Sequence, residues 1–245
     1  MFTPYPVRPR TLAWWLADLV YPPSCAGCRA PAGGDDPYFC ARCVVMLGWR
    51  DPVRCPVCET PVALRGQWCE TCLERMPRVE RVIALGYYAG ALRQGVRLFK
   101  YHGYRGIGSW LGEMLARRVV REVGGIDRVV AVPGGRWRGY LRGFDPPAVV
   151  ARPLARWLAV PLETGVVVRA RDGVPAVARG RLDRELEVSG RFRCRRAGAL
   201  AGLRVLLVDD VYTTGASLEE VARLLRDEAG ARSVVGAVLA RTLLA

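Results

Sequence analysis

Lysine is almost missing from this chain. Lys100 stands alone among 37 cationic side chains, and every other one is arginine. His102 is the single histidine; beside Tyr101 and Gly103 it reads as a solvated helix-ending cap rather than a general base. No GxxxxGK[ST] and no GxGxxG occurs, which argues against a P-loop NTPase or a dinucleotide fold. No apolar run is long enough to span a bilayer. The run Thr11–Val20 follows Arg8 and Arg10 as in a signal peptide, but Asp18 interrupts it, Pro22-Pro23 follow and no small-residue cleavage site appears. Residues 1–20 are expected to form a short amphipathic helix in a cytoplasmic protein. The alternative is a membrane-surface anchor with Trp14 and Trp15 at the interface.

Against these absences stands a large charge. Across 245 residues, 37 Lys+Arg against 23 Asp+Glu give a formal net charge of +14. A surplus of that size implies an acidic partner: nucleic acid, phosphorylated small molecules or an anionic surface. With 51% hydrophobic and 24% charged residues the composition is globular, so a disordered basic tail is excluded. Residues 134–196 hold fourteen Arg and six acids, whereas 197–245 come to −1, so the excess is local.

Eight of the nine cysteines form four CxxC pairs: Cys25/Cys28, Cys40/Cys43, Cys55/Cys58 and Cys69/Cys72. Two residues between cysteines let a tight turn aim both sulfurs at one ion, and two such turns complete a tetrahedral site of four thiolates. Residues 21–78, rich in Pro and Gly, are expected to form a double zinc ribbon that needs its two structural Zn2+ ions to fold. Sequential pairing is the simplest arrangement; a cross-braced one, first pair with third and second with fourth, stays open. Disulfides would need an oxidising compartment, and a redox CxxC occurs once beside a βαβ unit rather than four times in a row. Cys194, in Arg193-Cys194-Arg195-Arg196, reads as an incidental thiol.

Residues 80–245 have a different texture, with strands expected at 81–88, 128–132, 162–168, 204–209 and 233–240 and helices at 91–101, 107–123, 146–158 and 217–229. Pro153 should kink the third helix or displace its start. The alternation implies an α/β domain with a mainly parallel sheet covered on both faces.

The sharpest motif is Val208-Asp209-Asp210-Val-Tyr-Thr213-Thr214-Gly215-Ala216-Ser217. An apolar strand ends in two carboxylates, followed by a small-residue turn and a helix. Ligands of open α/β sheets bind at the carboxyl ends of strands. A Thr-Thr-Gly-Ala-Ser turn at a helix N-terminus aims amides and the helix dipole at one point, which suits a dianionic phosphate. The two acids would repel that phosphate; they suit sugar hydroxyls or a Mg2+ ion. A phosphate site beside a hydroxyl site describes a ribose 5-phosphate. Ser217 and Glu220 also have the spacing of a capping box.

These residues resemble the signature of type I phosphoribosyltransferases. The whole chain is similar to the ComF family of competence proteins, in which a double zinc ribbon is joined to a phosphoribosyltransferase domain. The likeness rests on the four CxxC pairs, Phe99-Lys100-Tyr101-His102-Gly103, Val132-Pro133 followed by Arg142-Gly143-Phe144, and the 208–217 stretch. It implies that Asp209 and Asp210 hold ribose hydroxyls with Mg2+ nearby, and that Thr213, Thr214, Gly215, Ala216 and Ser217 hold the 5-phosphate. It also implies a loop facing pyrophosphate, with Gly134 and Gly135 offering backbone and Arg136, Arg138 and Arg142 offering charge. Lys100 becomes a candidate ligand contact, and residues 169–192 a loop closing over the site. The chain departs from the family at Asp145-Pro146, where Asn-Gln is usual, at Ala176 and Glu187, where Gln and Asn are usual, and at Ala131 in place of a proline.

The expected function is that of an accessory protein of DNA uptake binding ribose 5-phosphate groups, in phosphoribosyl pyrophosphate or single-stranded DNA. Basic residues interleaved with aromatics, at Arg136-Trp137-Arg138, Arg142-Gly-Phe144, Arg156-Trp157 and Arg191-Phe192-Arg193, fit single-strand binding. One alternative is an active phosphoribosyltransferase with a nitrogen acceptor. A further one is a zinc-ribbon adaptor for a competence helicase.

Overall fold

Five strands line up in one all-parallel sheet, in the spatial order 82–87, 233–241, 204–212, 128–131 and 162–163. The computed structural model describes residues 24–31, 36–48, 53–135, 143–170 and 190–243. The expected N-terminal helix, Arg136, Arg138, Arg142 and residues 171–189 lie outside them. In chain order the helices are α1 (Ala41–Leu47), α2 (Glu70–Arg75), α3 (Gly90–His102), α4 (Arg105–Glu122), α5 (Pro146–Leu158) and α6 (Ala216–Asp227). The strands are β1 (Val82–Tyr87), β2 (Arg128–Ala131), β3 (Leu162–Glu163), β4 (Val167–Arg169), β5 (Phe192–Cys194), β6 (Arg204–Tyr212) and β7 (Ser233–Arg241).

Strands of this kind are buried on both faces, so they read as apolar runs. Along β6, Leu206 and Val208 point into one apolar cluster and Val205 and Leu207 into the other, the period-two alternation of a strand. The first cluster holds Phe99, Trp110, Leu111 and Leu154 from α3–α5 together with Cys25, Phe39, Cys43 and Leu47. The second holds Leu218, Val221 and Leu225 of α6 together with Cys55, Val57, Cys58 and Cys72. The N-terminal cysteine segments are therefore divided between the two faces of the sheet.

β1 is an edge strand, and its outer edge is covered. Val82 N donates to Val57 O at 2.6 Å, and Ala84 N donates to Glu59 Oε2 at 3.2 Å. The Ala84 carbonyl accepts from Arg118 Nη1. Unpaired strand edges invite association with other chains, so this cover removes a liability.

Three expectations need correction. The strand expected at 162–168 is two strands in two sheets. Gly165, at φ +74, turns the chain between them, and β4 pairs antiparallel with β5 instead of extending β3. β6 does not stop at Asp209 but continues through the acid pair to Tyr212. The capping box is absent. The N-cap of α6 is Gly215, at φ +82, with no side-chain cap bond, and Glu220 Oε1 instead accepts the Gly190 amide at 2.8 Å and that of Phe192 at 3.3 Å. Helix α5 runs from Pro146 to Leu158 with Pro153 inside it.

Candidate functional site

After β2 the chain moves outward to β3, and after β6 it moves the other way to β7. The crevice beyond the carboxyl ends of β2 and β6 is thus a topological switch point, where open α/β sheets bind ligands. Ala131 lies opposite Val208 in the ladder, and Val132 N donates to Val208 O at 2.8 Å. That register sets Pro133-Gly134-Gly135 across from Asp209-Asp210. The turn 213–217 follows directly, with Thr213 and Thr214 exposed, Ala216 and Ser217 half-buried, and Gly215 buried. Gly215 is needed twice: its φ is left-handed, and a Cβ there would stand 2.3 Å from the Tyr212 hydroxyl. The Thr214 hydroxyl accepts the Ala216 amide at 3.4 Å. The 12-residue helix α6 points its positive end at this turn.

The two acids have different partners. Asp210 pairs with Lys100 Nζ at 2.9 Å, both side chains being mostly buried. The last turn of α3 delivers that lysine before Gly103 ends the helix in a left-handed cap. Asp209 Oδ1 accepts the amide of Asp210 at 2.8 Å. Burial, then the charge of Asp210, pushes the Asp209 carboxyl up to about 8, against the pull of the Asp210 amide and Lys100. One acid is thus paired with a lysine, and the other is disfavoured as an anion by its burial and by its neighbour's charge. His102 is exposed.

Beside the acids lies a third carboxyl that sequence reasoning flagged only as a departure. Asp145, at the start of α5, accepts the Gly134 amide on Oδ2 at 3.3 Å, and its buried Oδ1 has no partner among the described residues. Burial raises its pKa, opposed by the Gly134 amide and reinforced by Asp210. A cavity of about 480 Å³ opens here, lined by Pro133, Gly134, Asp145, Arg169, Arg193 and Arg195 among others. The β4–β5 ladder supplies Arg169 and Arg193, and Arg195 follows directly after β5. Of the aromatics set among basic residues, Phe144 stacks on Phe99 at 5.5 Å and Phe192 is 5% exposed, so neither is a free platform. Trp157 is 45% exposed and has the Arg117 guanidinium 5.6 Å from its ring centre.

The cysteines assemble sequentially: Cys25, Cys28, Cys40 and Cys43 form one group and Cys55, Cys58, Cys69 and Cys72 the other, with the sulfurs of each within 4.8 Å of one another. The two are built alike. In each, a left-handed residue (Arg29, Glu59) closes the first turn back to Cys25 or Cys55, and the third cysteine (Cys40, Cys69) is the N-cap of a short helix. A tetrahedral Zn2+ with bonds of 2.3 Å sets sulfurs about 3.8 Å apart; Cys28 and Cys40 stand at 3.7 Å, Cys58 and Cys69 at 3.4 Å. All nine cysteines are free thiols. Burial resists ionisation of Cys25, yet the amides of Cys28, Cys40 and Gly27 bring it down to about 6. Cys72 as hydrogen-bond donor brings Cys58 down to about 4. In the same groups Cys43 and Cys69 are raised, chiefly by burial, and Cys72 by its bond to Cys58; the four-sulfur geometry fits Zn2+, and either cluster could hold one ion. No helix among the described residues is long and apolar enough to cross a membrane.

The family model described as phosphoribosyl transferase domain matches residues 148–242. The DNA utilization protein YhgH of Escherichia coli K12 is 30% identical over 193 residues, covering 77% of this chain and 84% of that protein. Competence protein F of Haemophilus influenzae is 26% identical over 179 residues, covering 69% and 76%. Among solved structures, the glutamine phosphoribosylpyrophosphate amidotransferase of B. subtilis is 27% identical, with a TM-score of 0.37, covering 54% of this chain and a quarter (25%) of that one. The molecule is thus a parallel-sheet protein of the phosphoribosyltransferase type carrying two four-cysteine clusters at its N-terminal side. The chain belongs to the ComF family, together with YhgH and competence protein F.

Proposed function

We propose that this protein serves DNA uptake or utilization by binding ribose 5-phosphate groups, in phosphoribosyl pyrophosphate or in single-stranded DNA. The observation that carries this reading is the crevice at the switch point. There a phosphate-type turn at the head of α6 adjoins two carboxyl groups, of which Asp210 is paired with Lys100 and Asp209 resists ionisation through burial. A dianionic phosphate can approach such a pair without the repulsion that two bare acids would exert. Asp209 and Asp210 are oxygen donors of the kind Mg2+ takes, and such an ion would neutralise phosphate oxygens beside them. Gly134, Gly135 and the arginines after them would face the remaining phosphates. The names of YhgH and competence protein F support the setting in DNA metabolism.

A groove of about 570 Å³ between α4 and α5, lined by Arg105, Ser109, Arg152 and Arg156 among others, favours a polynucleotide over a lone nucleotide, because it offers further cationic side chains outside the crevice. The alternative of an active transferase requires the 480 Å³ cavity to take a nitrogen acceptor.

The test is a titration with phosphoribosyl pyrophosphate and Mg2+ beside one with oligo-dT at two salt concentrations. Oligo-dT is expected to bind with a steep salt dependence and to be displaced by phosphoribosyl pyrophosphate. If neither ligand binds, the reading is wrong. If only phosphoribosyl pyrophosphate binds, and pyrophosphate is released with an added amine, the transferase alternative replaces it.

A further inference from the structure

Arg241, the last residue of β7, is 5% exposed and is one of four buried charged residues, with Glu59, Arg118 and Asp210, among the described residues. One edge of its guanidinium is engaged: Nη2 donates to the Thr60 hydroxyl, and that hydroxyl lies 3.1 Å from Cys58 Sγ. Its face lies 4.5 Å from the centre of the Tyr212 ring. The other two nitrogens, Nε and Nη1, are buried with no hydrogen-bond partner among the described residues. A guanidinium cannot shed its proton, and a buried one without compensating negative charge is strongly destabilising.

The missing charge is next door. Four thiolates around one divalent ion carry a net −2, and such clusters depend on outer hydrogen-bond donors for affinity. We propose that Arg241 is the outer-sphere partner of a metal ion in the Cys55–Cys58–Cys69–Cys72 cluster, and that through Tyr212 it ties the filling of that cluster to the conformation of the turn 213–217. Backbone amides serve both clusters, those of Gly27 and Cys40 lying 3.3 Å from Cys25 Sγ in the first and that of Thr60 bonding Cys58 in the second. The link to the turn is short. Tyr212 is the ladder partner of Arg241, its carbonyl accepts the Thr242 amide at 2.9 Å, and its hydroxyl fills the space where Gly215 has no Cβ. An arginine freed from its counter-charge would loosen the ring under the turn. Neither half of this inference depends on which ligand the turn binds.

The experiment uses the full chain loaded with zinc and challenged with excess chelator, with release followed by a colorimetric zinc probe. Hydrogen exchange of residues 213–217 is read in parallel. Arg241→Met should lose one of its two zinc ions about 10- to 100-fold faster than the wild type and release the other at the wild-type rate. The amides of 213–217 should exchange faster, and those of 36–48 should not change. Arg241→Lys, which keeps the charge, should fall between. If Arg241→Met does not fold, Thr60→Val carries the test, since it leaves every ligand and the charge in place: it should speed loss of the same single ion. Wild-type release of both ions from these variants, or unchanged protection of 213–217 once the second ion has left, would overturn the proposal.

Discussion

The two four-cysteine clusters share a construction and differ in how they are held. The first presents Cys28 to solvent and leans on aromatic and aliphatic neighbours: Phe39 stacks on Trp110 at 5.1 Å, and Leu47 is buried beside it. The second buries Cys55, Cys58 and Cys72 and is pinned by ions. Glu59, in the turn after Cys58, meets Arg118 of α4 in a buried pair, and Arg118 also reaches Glu122 at 2.6 Å and the carbonyl of Ala84 in β1. Arg241 touches the same cluster from β7. One ligand set can thus be docked by surface burial or by directional charge, and the second kind fixes position more tightly while tolerating loss of a partner less well.

The largest effect expected from this contrast is on the metal ligands themselves. Cys28→Ser and Cys58→Ser should each lower the zinc content from two ions to one, but only Cys58→Ser should unsettle the sheet, seen as a much lower Tm with a broadened transition. Equal melts for the two variants would erase the distinction. Next is the docking. Arg118→Met takes the nearest counter-charge from buried Glu59, leaving Arg54 at 3.6 Å as a more distant one, and should cost about 3 kcal/mol by urea unfolding, whereas pairing it with Glu59→Gln should recover much of that loss. Phe39→Ala at the first cluster should cost about 3 kcal/mol, and no second substitution should rescue it, because its loss is a cavity rather than a charge. Smallest is the effect of Asp209 on the strand that ends beside the second cluster. Its carboxyl ionises near pH 8 when folded, against a usual value of 3.8. Between those values the folded protein binds more protons than the unfolded one, so stability falls as pH rises. Asp209→Asn removes that slope and should raise Tm more at pH 8.5 than at pH 5.

Much of this arrangement is legible in the sequence, and what is not has identifiable causes. The CxxC pairs and the Asp-Asp-x-x-Thr-Thr-Gly-Ala-Ser run declare themselves because turns and ligand sets are local. The pairing of the clusters does not, since both arrangements satisfy the same spacing; the division of the segments between opposite faces of the sheet decides it. Leu162 to Val168 reads as one strand because its hydrophobicity is continuous across Gly165, and only the left-handed turn there reveals two. The Ser217–Glu220 spacing resembles a cap, yet Glu220 is drawn away to the backbone of β5. Asp145 and Arg241 join their sites from 64 and 29 residues away from Asp209 and Tyr212 in the chain, a juxtaposition that only the strand order produces.

The cover on β1 bears on how the chain assembles. The sheet partner of β1 is β7, the last strand in the chain, so Val82–Tyr87 must wait through some 150 residues of synthesis before its ladder can form. Pairing over such a distance is slow, and a waiting apolar strand is prone to aggregate. The segment carrying Val57 and Glu59, which satisfies the outer amides of β1 in the fold, is synthesised just before that strand. The cysteine-bearing turns thus cover the outer edge of a strand whose ladder partner is made last.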